Sequence, residues 1–120
     1  MPLWKAILEG AKKRPQNTSG GYWGRLDDSA CAAAGAMEAI GVAFGGYVTF
    51  DAASAAFPVA YLPHSPVCDC DRECGSVWWT AIHLNDHHFW TRERIAEWVR
   101  GIEEPAAPLP SYSQPLPESK

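Results

Sequence analysis

A run long and apolar enough to cross a membrane is missing from this 120-residue sequence. A spanning helix needs about 20 apolar residues in succession. The longest uncharged run, residues 52–68, falls short of that and is broken by Pro58, Pro63 and Pro66. Positive charge is scarce as well: ten Lys and Arg face fourteen Asp and Glu, a net charge of −4. That balance argues against a general phosphate-binding protein, because phosphate recognition needs a basic face. Nor does the N-terminal stretch read as a secretory leader. Lys5 and Glu9 stand where its apolar core would be, and no small-residue cleavage site follows. The expected compartment is therefore a reducing cytoplasm, where clustered cysteines are more often metal ligands than disulfides. No segment repeats.

What is present is the composition of one ordinary globular domain, 47% apolar and 20% charged. A domain of this size buries only part of its unfolded surface, so a metal or cross-link would add useful stability. Residues 2–14, PLWKAILEGAKKR, predict a first helix with Pro2 at its first position. Leu3, Trp4, Ile7, Leu8 and Ala11 give it one apolar stripe. Tyr22 and Trp23, in the Gly-rich loop that follows, are expected to fold back onto the core. DDSACAAAGAMEAIG, residues 27–41, predicts a second helix, capped by Asp27 or Asp28 and stopped at Gly41. Its alanines imply close approach to a neighbour.

VAFGGYVTF, residues 42–50, predicts a small hairpin or two extended arms around Gly45-Gly46. Asp51 is expected to cap a short helix, after which Pro58 and Pro63 hold the chain extended. Ser76 is expected to cap a short buried helix within GSVWWTAIHL. TRERIAEWVRGIEE, residues 91–104, is the clearest helix. Thr91 is its N-cap, and Ile95, Trp98, Val99 and Ile102 share a face. From Pro105 onward, five of the ten prolines fall in sixteen residues. Residues 105–120 are therefore expected to be an extended tail outside the compact domain 1–104. Leu109, Tyr112 and Leu116 are spaced for an extended strand to seat in pockets of a partner.

The chemistry-bearing residues crowd between positions 66 and 99. This stretch holds three of the four cysteines, three of the four histidines and four of the six tryptophans. Zinc takes four ligands in a tetrahedron, commonly two from a tight turn and two from a helix end. Cys70 and Cys74 are separated by three intervening residues with Gly75 directly after, and three and four residues intervene between His83 and His87 and His88. The Cys and His intervals match zinc modules, while the spacer between them is short. Competing readings are unligated thiols with surface histidines, a disulfide, and a Cys74/His83/Asn85 hydrolase. Asp69, Asp71, Glu73 and Asp86 oppose the last, because a nucleophilic thiolate wants positive neighbours. Cys31, in its alanine-rich helix, reads as a small buried residue.

Residues 83–86, HLND, and 90–99, WTRERIAEWV, follow a cysteine turn ending in Cys74-Gly75. They resemble a group of small uncharacterised bacteriophage and bacterial proteins. That group carries Cys-Pro-x-Cys-Gly, then His-Leu-Asn-Asp, a second His, and Trp-Thr-Arg-Glu-x-Ile-Ala-x-Trp-Val. ILEGAKKRPQ and SACAAAGAMEAIG are more loosely similar to its N-terminal half. By position, the resemblance implies Cys74, His83 and His88 as ligands. Its first cysteine falls on Asp71 here, so Cys70 or Cys68 would substitute.

Together these readings predict a mainly α, small single domain with a short extended pair, a zinc-knuckle staple and a Pro-rich tail. The predicted ligands are Cys70, Cys74, His83 and His88, with Cys68 and His87 as substitutes. Asn85 and Asp86 are expected to close the turn between the histidines, and Trp90 to cover it. The expected function is a non-enzymatic, phage-type accessory protein, in the host cytoplasm or the virion, that binds another protein or itself. The alternative is a nucleic-acid-binding zinc module using Lys12, Lys13, Arg14, Arg92 and Arg94. A metal-dependent hydrolase is third.

Overall fold

The computed structural model describes residues 1–18, 21–24, 28–63 and 75–104. Five α-helices and one 3-10 turn account for its regular structure, and no strand occurs among the described residues. The protein is mainly helical and compact, as its sequence predicts. The helices are α1 (Leu3–Ala11), α2 (Ala32–Ala39), α3 (Phe50–Ala56), α4 (Val77–His87) and α5 (Arg92–Glu103), with the 3-10 turn at Pro58–Tyr61 between α3 and α4. α1 packs against both α2 and α5, while α4 meets α2, α5 and the 3-10 turn.

α1 buries Leu3, Ala6, Ile7 and Gly10. Pro2 stands just before the helix with an extended ψ of 155°, rather than inside it. It has no side chain that can cap, and the cap comes from the far end of the chain. Leu3 N–H and Trp4 N–H donate to the two carboxylate oxygens of Glu103, at 2.8 and 2.9 Å. A carboxylate is favoured there because the first-turn N–H groups lack helical partners and carry the positive end of the helix dipole. Trp4 Nε1 also donates to Glu104 Oε2 at 2.8 Å, and the Arg100 guanidinium lies 4.6 Å over the Trp4 ring. The last turn of α5 thus clasps the first turn of α1.

α2 is buried along Ala32–Met37. At its middle, Gly35 meets Gly10 of α1, backbone against backbone: a Cβ built on Gly10 would overlap the Gly35 carbonyl. The alanines make the close approach expected of them, but these two glycines permit the crossing. The start of α2 differs from expectation. Cys31, not exposed Asp28, caps it, its Sγ accepting from Ala34 N–H at 3.4 Å; Asp27 lies outside the described residues. Residues 29–30 are withheld from the helix because they run alongside the first loop. Ala30 forms isolated bridges with Gln16 and Trp23, and Ala30 N–H donates to Pro15 O. Gly41, at φ 112°, ends the helix region as predicted.

Of the hairpin or two extended arms expected at residues 42–50, the hairpin is not formed. Gly46 N–H closes a turn onto Ala43 O at 2.8 Å, and no ladder flanks it. Thr49, not Asp51, caps α3, its Oγ1 accepting from Ala52 N–H at 3.0 Å, while Asp51 occupies the first turn. A hydroxyl two residues earlier reaches the orphan donor, leaving the carboxylate to the dipole. Pro58 does not hold the chain extended. It opens the 3-10 turn, a first-turn position that suits a residue with no N–H. Ser76 and Thr91 cap α4 and α5 as read from the sequence, accepting from Trp79 N–H and Arg94 N–H. Trp78, Phe57, Leu84, Ile95 and Val99 form the bulky part of the core, and Tyr22, Trp23 and Trp98 pack on its edge.

Candidate metal centre

α4 carries His83 and His87 four residues apart, and His88 at its C-cap. His83 is buried, being 4% exposed. Phe89 follows with φ 54°, a left-handed conformation unusual for a side chain of that size. With Trp90 N–H donating to Leu84 O at 3.1 Å, it turns the chain sharply back over the helix end. His88, placed by the C-cap of α4 just before that reversal, meets His83: the two Nε2 atoms are 3.1 Å apart and the rings stand at 72°. The His87 ring lies 5.0 Å from that of His83, tilted by 32°. All three imidazoles therefore gather at the C-terminal end of α4.

Two arrangements produce a nitrogen pair at that separation. One is a hydrogen bond between a protonated and an unprotonated ring nitrogen. The other is a shared metal: with Zn–N bonds of 2.0–2.1 Å, two corners of a zinc tetrahedron lie about 3.3 Å apart. Cys68, Cys70 and Cys74 fall in segment 64–74, outside the described residues. Among the described residues, no three Cys, His, Asp or Glu are arranged so that together they could hold a metal ion. The flanks of the segment are placed, however. Val77 N–H donates to Leu62 O at 2.9 Å, and Gly75 has φ 83°. Both ends of the cysteine segment thus start at the head of α4, and His83 lies about 9 Å further along its axis. Eleven residues are ample to cover that distance.

Comparison with protein-family models, curated proteins and solved structures finds no match for this chain.

Asn85 does not close a turn between the histidines. It lies inside α4, fully buried, and its amide joins three parts of the fold. Oδ1 accepts from Gln16 Nε2 at 2.8 Å and from Ala32 N–H at 3.1 Å; Nδ2 donates to Asn17 O at 2.7 Å and to Asp86 Oδ1 at 2.8 Å. Gln16 Nε2 also reaches Trp90 O, at 2.7 Å. Asn85 therefore fastens the first loop and the start of α2 to α4, and Gln16 extends the network to the turn that follows His88. Asp86, also expected in the turn, is in the last turn of α4. The signal for this hub was available: an asparagine inside an apolar helix is unfavourable unless its amide is used.

The remaining candidates disperse. Burial pushes the Cys31 thiol up to about 12, so it stays protonated and packs as a small apolar group. Arg14 is held by Glu38 in a two-pronged pair, Nη2–Oε2 2.7 Å and Nε–Oε1 2.8 Å, which keeps the Glu38 carboxyl below its ordinary range. Arg92 is buried, and Arg94 lies 3.8 Å over the Trp90 ring. Of the five cations in the nucleic-acid reading, Lys12, Lys13 and Arg94 are exposed, and Lys12 pairs with Glu9 at 3.2 Å. Leu109, Tyr112 and Leu116 lie outside the described residues.

Proposed function

We propose that this chain is a small helical interaction protein whose C-terminal half is stapled by a structural zinc. His83 and His88 supply two ligands, Cys70 and Cys74 the other two, with Cys68 and His87 as substitutes. The observation that carries the reading is the 3.1 Å approach of His83 Nε2 to His88 Nε2 at the end of α4. A hydrogen bond between two imidazoles contributes only about 1 kcal/mol, whereas a shared cation would hold both nitrogens near this separation. The converging flanks of the cysteine segment support the remaining two ligands. With all four positions taken by protein, the metal has no open site for water or substrate, so its work is mechanical. The reading extends to a phage-type accessory role, exercised on another protein or on a second copy.

Purified protein should carry about one zinc per chain, and chelation should lower its melting temperature by more than about 10 °C. Cys74→Ser and His83→Ala should each release the metal, while Cys31→Ser should retain it. Elemental analysis beside thermal unfolding gives the answer. Metal-free protein of unchanged stability would leave the histidine pair as a hydrogen bond and refute the staple.

A further inference from the structure

On the side of α4 away from α5, Trp79, Ile82 and Asp86 meet Tyr22 and Cys31 around an open pocket of about 340 Å³. That volume falls at the small end of ligand pockets. Its walls are mostly apolar: the Trp79 indole, the Tyr22 ring and the Ile82 side chain. Burial raises both the Cys31 thiol and the Tyr22 phenol above their ordinary values, so neither contributes negative charge at neutral pH. Asp86 is the pocket's one carboxylate. Its Oδ1 accepts from Asn85 Nδ2, and among the described residues it has no Lys or Arg partner.

We propose that this pocket receives a lysine or arginine side chain from a protein partner, the cation meeting Asp86 and the methylene stem lying against Trp79, Tyr22 and Ile82. The assignment rests on the reading of the chain as an interaction protein and names the chemistry of what it binds. Charge complementarity selects the occupant, since an apolar-walled pocket with a single carboxylate rejects an acidic group and leaves a neutral one without a counterpart. Aromatic faces add to the attraction, because their quadrupoles draw a cation, more strongly where water is excluded. The fold already uses this pairing internally, with Arg14 over Phe44, Arg94 over Trp90 and Arg100 over Trp4. Beyond the pocket rim, Trp79 stacks on Phe50 and Phe50 on Tyr61, at 5.6 and 5.8 Å. Tyr61 is 69% exposed, which gives the residues flanking the cation an apolar surface to rest on.

The test uses butylguanidinium as probe, butanol as its neutral counterpart, and the Trp79 indole N–H resonance as readout. Butylguanidinium should shift that resonance saturably at millimolar concentration, and butanol should not. Asp86→Asn keeps the Oδ1 acceptor for Asn85, so it should retain zinc and melting temperature yet weaken the probe at least fivefold; Trp79→Leu should do the same. Peptides selected on the full chain from a random display library should then be enriched in Lys or Arg beside apolar residues, and butylguanidinium should compete with them. No saturable shift, or equal shifts by the two probes, overturns the proposal. Selected peptides that lack a cation and ignore Asp86→Asn overturn the pocket while leaving the interaction reading intact. Probe binding without any peptide enrichment overturns the protein partner and points to a free alkyl cation.

Discussion

Gly10→Ala should destabilise this protein by about 3 kcal/mol, lowering the melting temperature by roughly 12–24 °C, whereas Gly35→Ala should cost under about 1 kcal/mol. The two glycines face one another across the same helix crossing, yet the geometry is not symmetric. A Cβ on Gly10 would be driven into the backbone of Gly35, carbonyl and Cα alike. Backbone cannot rotate aside as a side chain does, so α1 and α2 must separate and the contacts of Ala6, Ile7 and Ala36 weaken with them. A Cβ on Gly35 instead meets Gly10 Cα at 3.5 Å, an ordinary van der Waals contact. Alanine there also gains about 1 kcal/mol of helix propensity over glycine, which offsets any tightness. Urea unfolding of the two variants side by side measures the asymmetry. Equal losses would mean that the helices do not cross at this pair.

Asn85→Leu should cost about 3–5 kcal/mol although it preserves volume and adds apolar surface. The replacement takes the Asn85 amide from Ala32 N–H and the Asn17 carbonyl, in surroundings where Asn85 itself is fully buried, and leaves Gln16 with its bond to Trp90 O. Each stranded group carries a desolvation penalty of roughly 1–3 kcal/mol. Gln16→Ala removes one spoke of the same hub, near its edge, and should cost only about 1 kcal/mol. Thermal unfolding of both variants at fixed zinc separates the hub from the metal. An Asn85→Leu protein as stable as the parent would show that the amide bonds are incidental.

Much of the helical framework was legible because it is local. Ser76 and Thr91 announce their helices through a cap-and-stripe pattern that needs only neighbouring residues, and Gly41 marks a stop through its own backbone freedom. What was not legible depended on distant partners. Nothing near Pro2 shows that Glu103 will cap α1, a hundred positions away, and nothing near Asp28 shows that residues 29–30 are drawn off to bridge Gln16 and Trp23. The apolar residues around Gly45-Gly46 satisfied a strand pattern, but their local turn found no partner strand, so propensity alone could not build a hairpin. At the candidate site, the grouping of His83, His87 and His88 followed from helical spacing. That His88 faces His83 depends on the backbone at the C-cap of α4, where the chain leaves the helix, and helical spacing alone does not give it. Asn85 was noticed but misread, because a turn residue and a buried hub carry the same letter.

The clasp of Glu103 on the first turn of α1 has a consequence in time. During synthesis, Leu3 and Trp4 emerge first, and the carboxylate that satisfies their N–H groups emerges a hundred residues later. At 5–20 residues per second that interval is roughly 5–20 s. Throughout it, the apolar stripe of α1 has neither its cap nor the α5 face it packs against, so the nascent chain carries an open hydrophobic edge until α5 is made.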